Sequence, residues 1–145
     1  MLLGTISVPH PFVLAPMEEY TSLPFRRQAR AHGAALVWSE RIDGHAVAER
    51  DRRALHLWRT EPPDQPGLAQ FSTTDPAVAE RCAHIAGELG WRGVDLNCEC
   101  PVRRVIGRGE GGALMGDPAA IGRLVAGAAR AGLPVTDRKS TRLIS

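Results

Sequence analysis

Two segments of this chain open alike, and together they restrict its fold more than any other feature. Asp75-Pro76-Ala77 and Asp117-Pro118-Ala119 each set a carboxylate where a helix needs a cap and a proline in its first turn. Val78, Cys82, Ile85 and Leu89 then recur at intervals of four, three and four before Gly90, while Ile121, Leu124, Val125 and Ala128 share one face before Gly132. Between the two helices runs a short strand around Val94-Asp95-Leu96, and Leu133-Pro134-Val135-Thr136 begins another. Strands that alternate with helices of this length predict parallel βα units.

The earlier chain continues the pattern. Phe12-Val13-Leu14-Ala15, apolar throughout and bounded by prolines, predicts a strand buried on both faces. Thr21 or Ser22 can cap a helix reaching about His32, where Gly33 ends it. Further strands are expected at Ala35 to Trp38 and at Leu68 to Phe71; the charged stretch from Asp43 to Arg59 reads as partly helical, and Pro62-Pro63 through Pro66-Gly67 as a stiff break. Right-handed crossovers leave an open doubly wound sheet or a (β/α)₈ barrel. Met17, Glu40, Gln70 and Asn97 all stand at the C-terminal ends of successive strands, which favours a ring of βα loops over a single crevice. The expected fold class is therefore α/β, a truncated (β/α)₈ TIM barrel. A complete barrel takes about 250 residues, so 145 residues correspond to about the first four and a half βα units.

Composition sets the remaining bounds. With 43% hydrophobic residues the chain can bury one core. No apolar run approaches a membrane span and the N-terminus shows no secretion signal, so a cytoplasmic protein with no membrane partner is expected. Cys82, Cys98 and Cys100 read as reduced thiols. Cys98 and Cys100, one residue apart and without a second ligand pair, predict no metal site. Gly107 to Gly112 fits GxGxxG on paper, but it neither follows a strand nor opens a helix; these glycines instead let a loop close over a site.

The net charge of +2 comes entirely from DRKSTRLIS, because residues 1–136 carry fifteen Arg, no Lys and fifteen acids. The change in residue usage at Asp137 predicts a division into 1–136, the barrel segment, and 137–145, a tail that resembles translated sequencing adapter and is expected to be non-native, the alternative being a natural C-terminal extension. The sequence assigns no oligomeric state.

One stretch carries the chemistry. Asp95 to Met115, DLNCECPVRRVIGRGEGGALM, delivers Asn97 and Cys100 from a strand end into an Arg- and Gly-rich loop, and Pro101 ends the strand pairing. A cysteine thiol ordinarily titrates near pH ~8.5, so at neutral pH it holds a proton it can donate; on residues alone, a small buried hydrophobe is the alternative. The Asn97 to Pro101 motif, Pro16-Met17 and Thr21 to Arg27 (TSLPFRR) resemble the tRNA-dihydrouridine synthases, and the resemblance covers Leu3 through Thr136. It implies an FMN-dependent oxidoreductase, with NADPH reducing the flavin, that saturates the uridine C5–C6 bond in tRNA. Cys100 and Asn97 would be catalytic, with the thiol protonating C5. Pro16, Met17 and Gln70 would bind FMN. Glu18, Glu19 and Tyr20 stand where the family often has small residues, and Arg138 stands in register where it has a flavin-contacting Lys, a role not carried onto Arg138 or Lys139.

Arg103 and Arg104, beside the thiol, are candidate contacts to tRNA phosphates, as is Arg108; Arg50, Arg52 and Arg53 form a second basic cluster. One alternative within the same chemistry is another FMN barrel acting on free pyrimidine or dihydroorotate. The alternative from a different class is an inactive truncated fragment, because half a barrel leaves open edges and an uncovered face.

Overall fold

The computed structural model describes residues 2–138. Its parallel strands are β3 (Val37–Trp38), β4 (Ile42–Asp43), β5 (Gly67–Ser72), β6 (Gly93–Asn97) and β7 (Val135–Arg138), preceded by an antiparallel hairpin of β1 (Leu2–Leu3) and β2 (Ile6–Ser7). The longer helices are α1 (Leu23–Ala31), α4 (Pro76–Leu89) and α6 (Pro118–Ala129); α2 (Gly44–Ala48), α3 (Arg52–Leu57) and α5 (Arg103–Ile106) are short.

Strand order follows chain order. Leu14 bridges Val37, β3 and β4 both pair with β5, β5 pairs with β6, and β6 with β7, all in parallel. A doubly wound sheet reverses its order at a switch point. Among the described strands no reversal occurs, and the α/β class expected from the sequence is the one found.

Local chemistry accounts for the elements. Asp75 accepts from the Ala77 amide and Asp117 from the Ala120 amide, as the Asp-Pro-Ala repeats predicted, and Gly90 and Gly132 take φ values of 95° and 75° past the helix ends. Within strands the side chains alternate. Ala69, Phe71, Val94 and Leu96 pack against α4 and α6 in the larger core, whereas Leu68, with Leu36, Ile6 and Val8, forms a smaller core on the opposite face, under the hairpin. Gln70, Asp95 and Asn97 share the face of Leu68.

Three expectations are corrected. Residues 12–15 form no regular strand: they hold to the second strand only through Leu14 N–H to Leu36 O and Ala35 N–H to Phe12 O, with prolines on both sides lacking donors. Nor is this segment buried on both faces, since at the sheet edge Phe12 is 76% and Val13 41% exposed. Second, the strand expected to end at Ser39-Glu40 resumes as β4. Ser39 N–H continues the ladder to Leu68 O, but the Ser39 hydroxyl replaces a backbone acceptor for Gln70 N–H, and regular strand structure is interrupted at 39–41. Third, β7 runs two residues past Thr136; residues 139–145, Lys139 included, lie outside the described residues.

Candidate active site

A cavity of about 220 Å³ opens at the C-terminal ends of the strands, lined by Pro16, Glu18, Arg41, Gln70, Asn97, Glu99, Cys100 and Pro101. It gathers residues from the ends of four successive strand positions, which is where parallel barrels build sites. The structure thus brings together four residues singled out from sequence: Pro16, Gln70, Asn97 and Cys100.

Hydrogen bonds hold this group in place. Asn97 Oδ1 accepts from the Cys100 amide at 3.1 Å, Asn97 Nδ2 donates to Gln70 Oε1 at 3.1 Å, and Gln70 Nε2 donates to Asp95 Oδ2 at 2.6 Å. The Asp95 carboxylate also accepts from the Thr136 hydroxyl. These contacts follow from register, because Gln70, Asp95 and Thr136 are direct partners across β5, β6 and β7. Burial pushes the Asp95 carboxyl up from 3.8 to about 6, against the lowering effect of its hydrogen bonds from Thr136 and Gln70.

The loop after β6 closes on Cys100 from the other side. Gly112 N–H donates to Cys100 O at 3.0 Å, and a Cβ on Gly111, whose φ is 58°, would stand 2.9 Å from that same oxygen. Glycine is therefore required by close approach, as the loop reading anticipated, although residues 103–116 also form α5 and a 3₁₀ turn (Gly111–Gly116), which the pattern did not predict.

The remaining candidates sit differently. Met17 is 39% exposed and does not line the cavity; its amide donates to Thr21 Oγ1 at 3.1 Å, and its carbonyl accepts from the same hydroxyl. Glu40, at the second strand end, accepts from the Glu19 amide instead of facing the cavity. Arg103 and Arg104 are exposed on α5 near the cavity mouth, and Arg104 pairs with Glu18 at 2.7 Å. Arg108 pairs with Asp43 of β4, and Arg50 with Glu88 at 2.6 Å. Cys98 is buried in the helix-side core; burial also pushes the Cys82 thiol up to about 12.

Three residues escaped sequence reasoning. Asp95 was passed over as part of the strand around Val94 to Leu96; an acid at the centre of a buried strand was the signal. Arg41 lines the cavity and is nearly buried, with its guanidinium held by both Glu18 oxygens and by Ser72 Oγ, which in turn donates to the buried Glu110 at 2.6 Å. Arg26, in the TSLPFRR turn, is fully buried: it donates to Asp64 at 2.8 Å and to the carbonyls of Thr21 and Arg59, and lies 5.0 Å from the centre of a Trp91 ring. It ties the loop after the first strand to the segment before β5. Among the described residues no group of three or more His, Cys, Asp and Glu side chains is placed to hold a metal ion, and no helix is long and apolar enough to cross a membrane.

Comparison with known proteins bears on this arrangement. Residues 13–143 match the dihydrouridine synthase (Dus) family. The chain is 31% identical over 135 residues to tRNA-dihydrouridine synthase B of Pseudomonas aeruginosa, covering 92% of this chain and 41% of that one. It is 34% identical over 134 residues to a probable tRNA-dihydrouridine synthase 2 of Bacillus subtilis, covering 89% and 41%. With a probable tRNA-dihydrouridine synthase of Mycobacterium tuberculosis the identity is 33% over 146 residues, covering 92% and 38%. The chain spans about two fifths of the length of these relatives. A parallel sheet in unbroken strand order, an Asn and a Cys at the end of its fourth strand position, and a family match over nearly the whole sequence agree: the chain belongs to the dihydrouridine synthase family, whose fold is the TIM barrel.

Proposed function

We propose that this chain contributes part of the active site of a tRNA-dihydrouridine synthase that reduces the C5–C6 bond of uridine in tRNA. One observation carries the reading: Cys100, the only cysteine of the three that is not buried, shares a cavity with Gln70, Asn97 and Pro16. FMN, reduced by NADPH, would supply the hydride to C6. Cys100 holds the proton destined for C5, and Asn97 orients Cys100 through the bond to its amide.

The donor set suits a flavin. A side-chain amide offers both a donor and an acceptor, matching the alternating carbonyl and N–H edge of a pyrimidine ring, and Gln70 retains one N–H beyond the one given to Asp95. Pro16 supplies an apolar wall. Met17, with its amide given to Thr21, contributes by shaping the turn after Pro16. The relatives are named as tRNA enzymes, which favours tRNA over free pyrimidine or dihydroorotate. Arg103 and Arg104 contact its phosphates, Arg104 after exchanging Glu18 for the RNA.

By itself the chain is catalytically silent on this reading. A second cavity of about 440 Å³, lined by Val8, Val13, Leu36 and Trp38 and at one side by Asp95, Thr136 and Arg138, opens on the sheet face away from the helices, and Phe12 is exposed next to Val13. The test is the dihydrouridine content of tRNA from cells lacking the activity, supplied with residues 1–138 joined to the remaining barrel of a relative. The fusion should restore dihydrouridine and its Cys100→Ala form should lower the rate by at least ~100-fold, the scale of a lost general acid; undiminished product with Cys100→Ala would refute the assignment.

A further inference from the structure

We infer that Asp95 is a positioning residue whose carboxylate sets the direction of a chain of side-chain amides that holds the Cys100 backbone. The chain has three links, and every donor points towards Asp95: Cys100 N–H to Asn97 Oδ1, Asn97 Nδ2 to Gln70 Oε1, and Gln70 Nε2 to Asp95 Oδ2. Each amide alone could face either way, since its two ends are nearly the same size. The two ends of the chain remove that freedom. A backbone N–H can only donate and a carboxylate only accepts, so turning Gln70 over would set Oε1 against Asp95 and Nε2 against Asn97 Nδ2, like against like at both contacts.

The surroundings are arranged for this role. Gln70 is pinned along its own backbone, with its amide on Ser39 Oγ at 2.8 Å and its carbonyl on Trp58 Nε1 at 3.1 Å, so only its side chain is left to be oriented. Thr136 occupies the other Asp95 oxygen, leaving Oδ2 to Gln70. Asp95 itself is 2% exposed, on a sheet face that it shares with Leu68, Gln70, Asn97 and Thr136. An apolar residue would pack there without desolvating a charge, and so a carboxylate at this position needs a role that packing does not supply. Orientation of the Asn97–Cys100 turn is that role: the thiol is presented to the cavity from a fixed backbone, and Gln70 and Asn97 meet a ligand in one orientation.

The inference deepens the proposed function and takes its catalytic meaning from it, but its test involves neither flavin nor RNA. Amide hydrogen exchange at Cys100, read by NMR on the ¹⁵N-labelled chain, reports the last link directly. In Asp95→Leu, Gln70 loses its fixed partner, and exchange at Cys100 should accelerate about five- to tenfold, the worth of one hydrogen bond. The double variant Gln70→Glu with Asp95→Asn reverses the donor of the first link, yet leaves Asn97 a carboxylate to donate to; exchange should return to within about twofold of the parent. A merely structural role for Asp95 would not be rescued by that exchange of carboxylate and amide.

Unchanged exchange in a folded Asp95→Leu protein, or no rescue in a folded double variant, would overturn the inference. If Asp95→Leu does not fold, Gln70→Leu cuts the chain one link nearer Cys100, with the same expectation and the same refutation. Dihydrouridine formation by Cys100→Ala bears on the acid assignment alone, so the two failures are distinguishable.

Discussion

Raising the pH should cost this chain stability through one side chain, Asp95. In the folded state burial lifts its carboxyl from 3.8 to about 6, so the native protein holds that proton more tightly than the unfolded chain does. The contribution is fully present below about pH 4 and is lost as the pH rises through 6. The interval corresponds to about 3 kcal/mol at ~1.4 kcal/mol per pH unit, and a residue only 2% exposed needs no discount for solvent screening. Asp95→Asn resembles the protonated form: its Oδ1 can accept from Gln70 while its Nδ2 donates to Thr136. The variant should match the parent near pH 4 and exceed it by up to about 3 kcal/mol at pH 7.5. Urea unfolding followed by fluorescence of the buried Trp58 and Trp91, repeated across that range, measures the difference. A gap between parent and variant that stays constant within about 0.5 kcal/mol from pH 4.5 to 7.5 would refute the reasoning, whose central premise is that ionised Asp95 is poorly solvated.

Three further outcomes follow from individual contacts. Asp64→Ala leaves the Arg26 guanidinium buried without its carboxylate, and chemical denaturation should show a loss of about 3–5 kcal/mol. Gly111→Ala needs a residue at φ 58° with its Cβ 2.9 Å from Cys100 O, and a thermal melt should register about 1–3 kcal/mol of destabilisation; an unchanged melting point would mean the loop does not press on Cys100 as closely as described. In a fusion carrying the complete barrel, Arg103→Ala should lower tRNA affinity and reduce the slope of log K against log salt by about one, whereas an unaltered slope would remove Arg103 from the RNA surface.

How much of this could be read without coordinates depended on the range of the interactions involved. Asp75 and Asp117 cap helices two and three residues ahead of them, and Gly90 and Gly132 stop helices at positive φ; such features are contained in a few adjacent residues and were legible. The alternation of strands and helices also placed Gln70 and Asn97 towards the ends of β5 and β6, with Cys100 just beyond. The edge segment 12–15 was misread because an apolar run looks the same whether or not a neighbouring strand covers it. Met17 was placed near the site by its position at a strand end; the hydrogen bonds between its backbone and the Thr21 hydroxyl, four residues on, and its place outside the cavity lining were not legible. The nearness of Arg103 and Arg104 to Cys100 was legible, whereas the Glu18 partner of Arg104, 86 residues distant, was not.

The sequence by itself determined the βα repeat, the order of its strands, the glycines that let a loop approach Cys100, and the family. Only the tertiary structure decided that Asp95 is a buried acid linked to Cys100 through two amides, that Arg26 is a core residue, and that Arg41 stands in the cavity wall between Glu18 and Ser72. The division has a physical cause. Caps, turns and periodicity are settled by neighbours along the chain, whereas the state of a buried charge depends on which groups the register of separate strands brings within about 3 Å, a distance that no local pattern encodes.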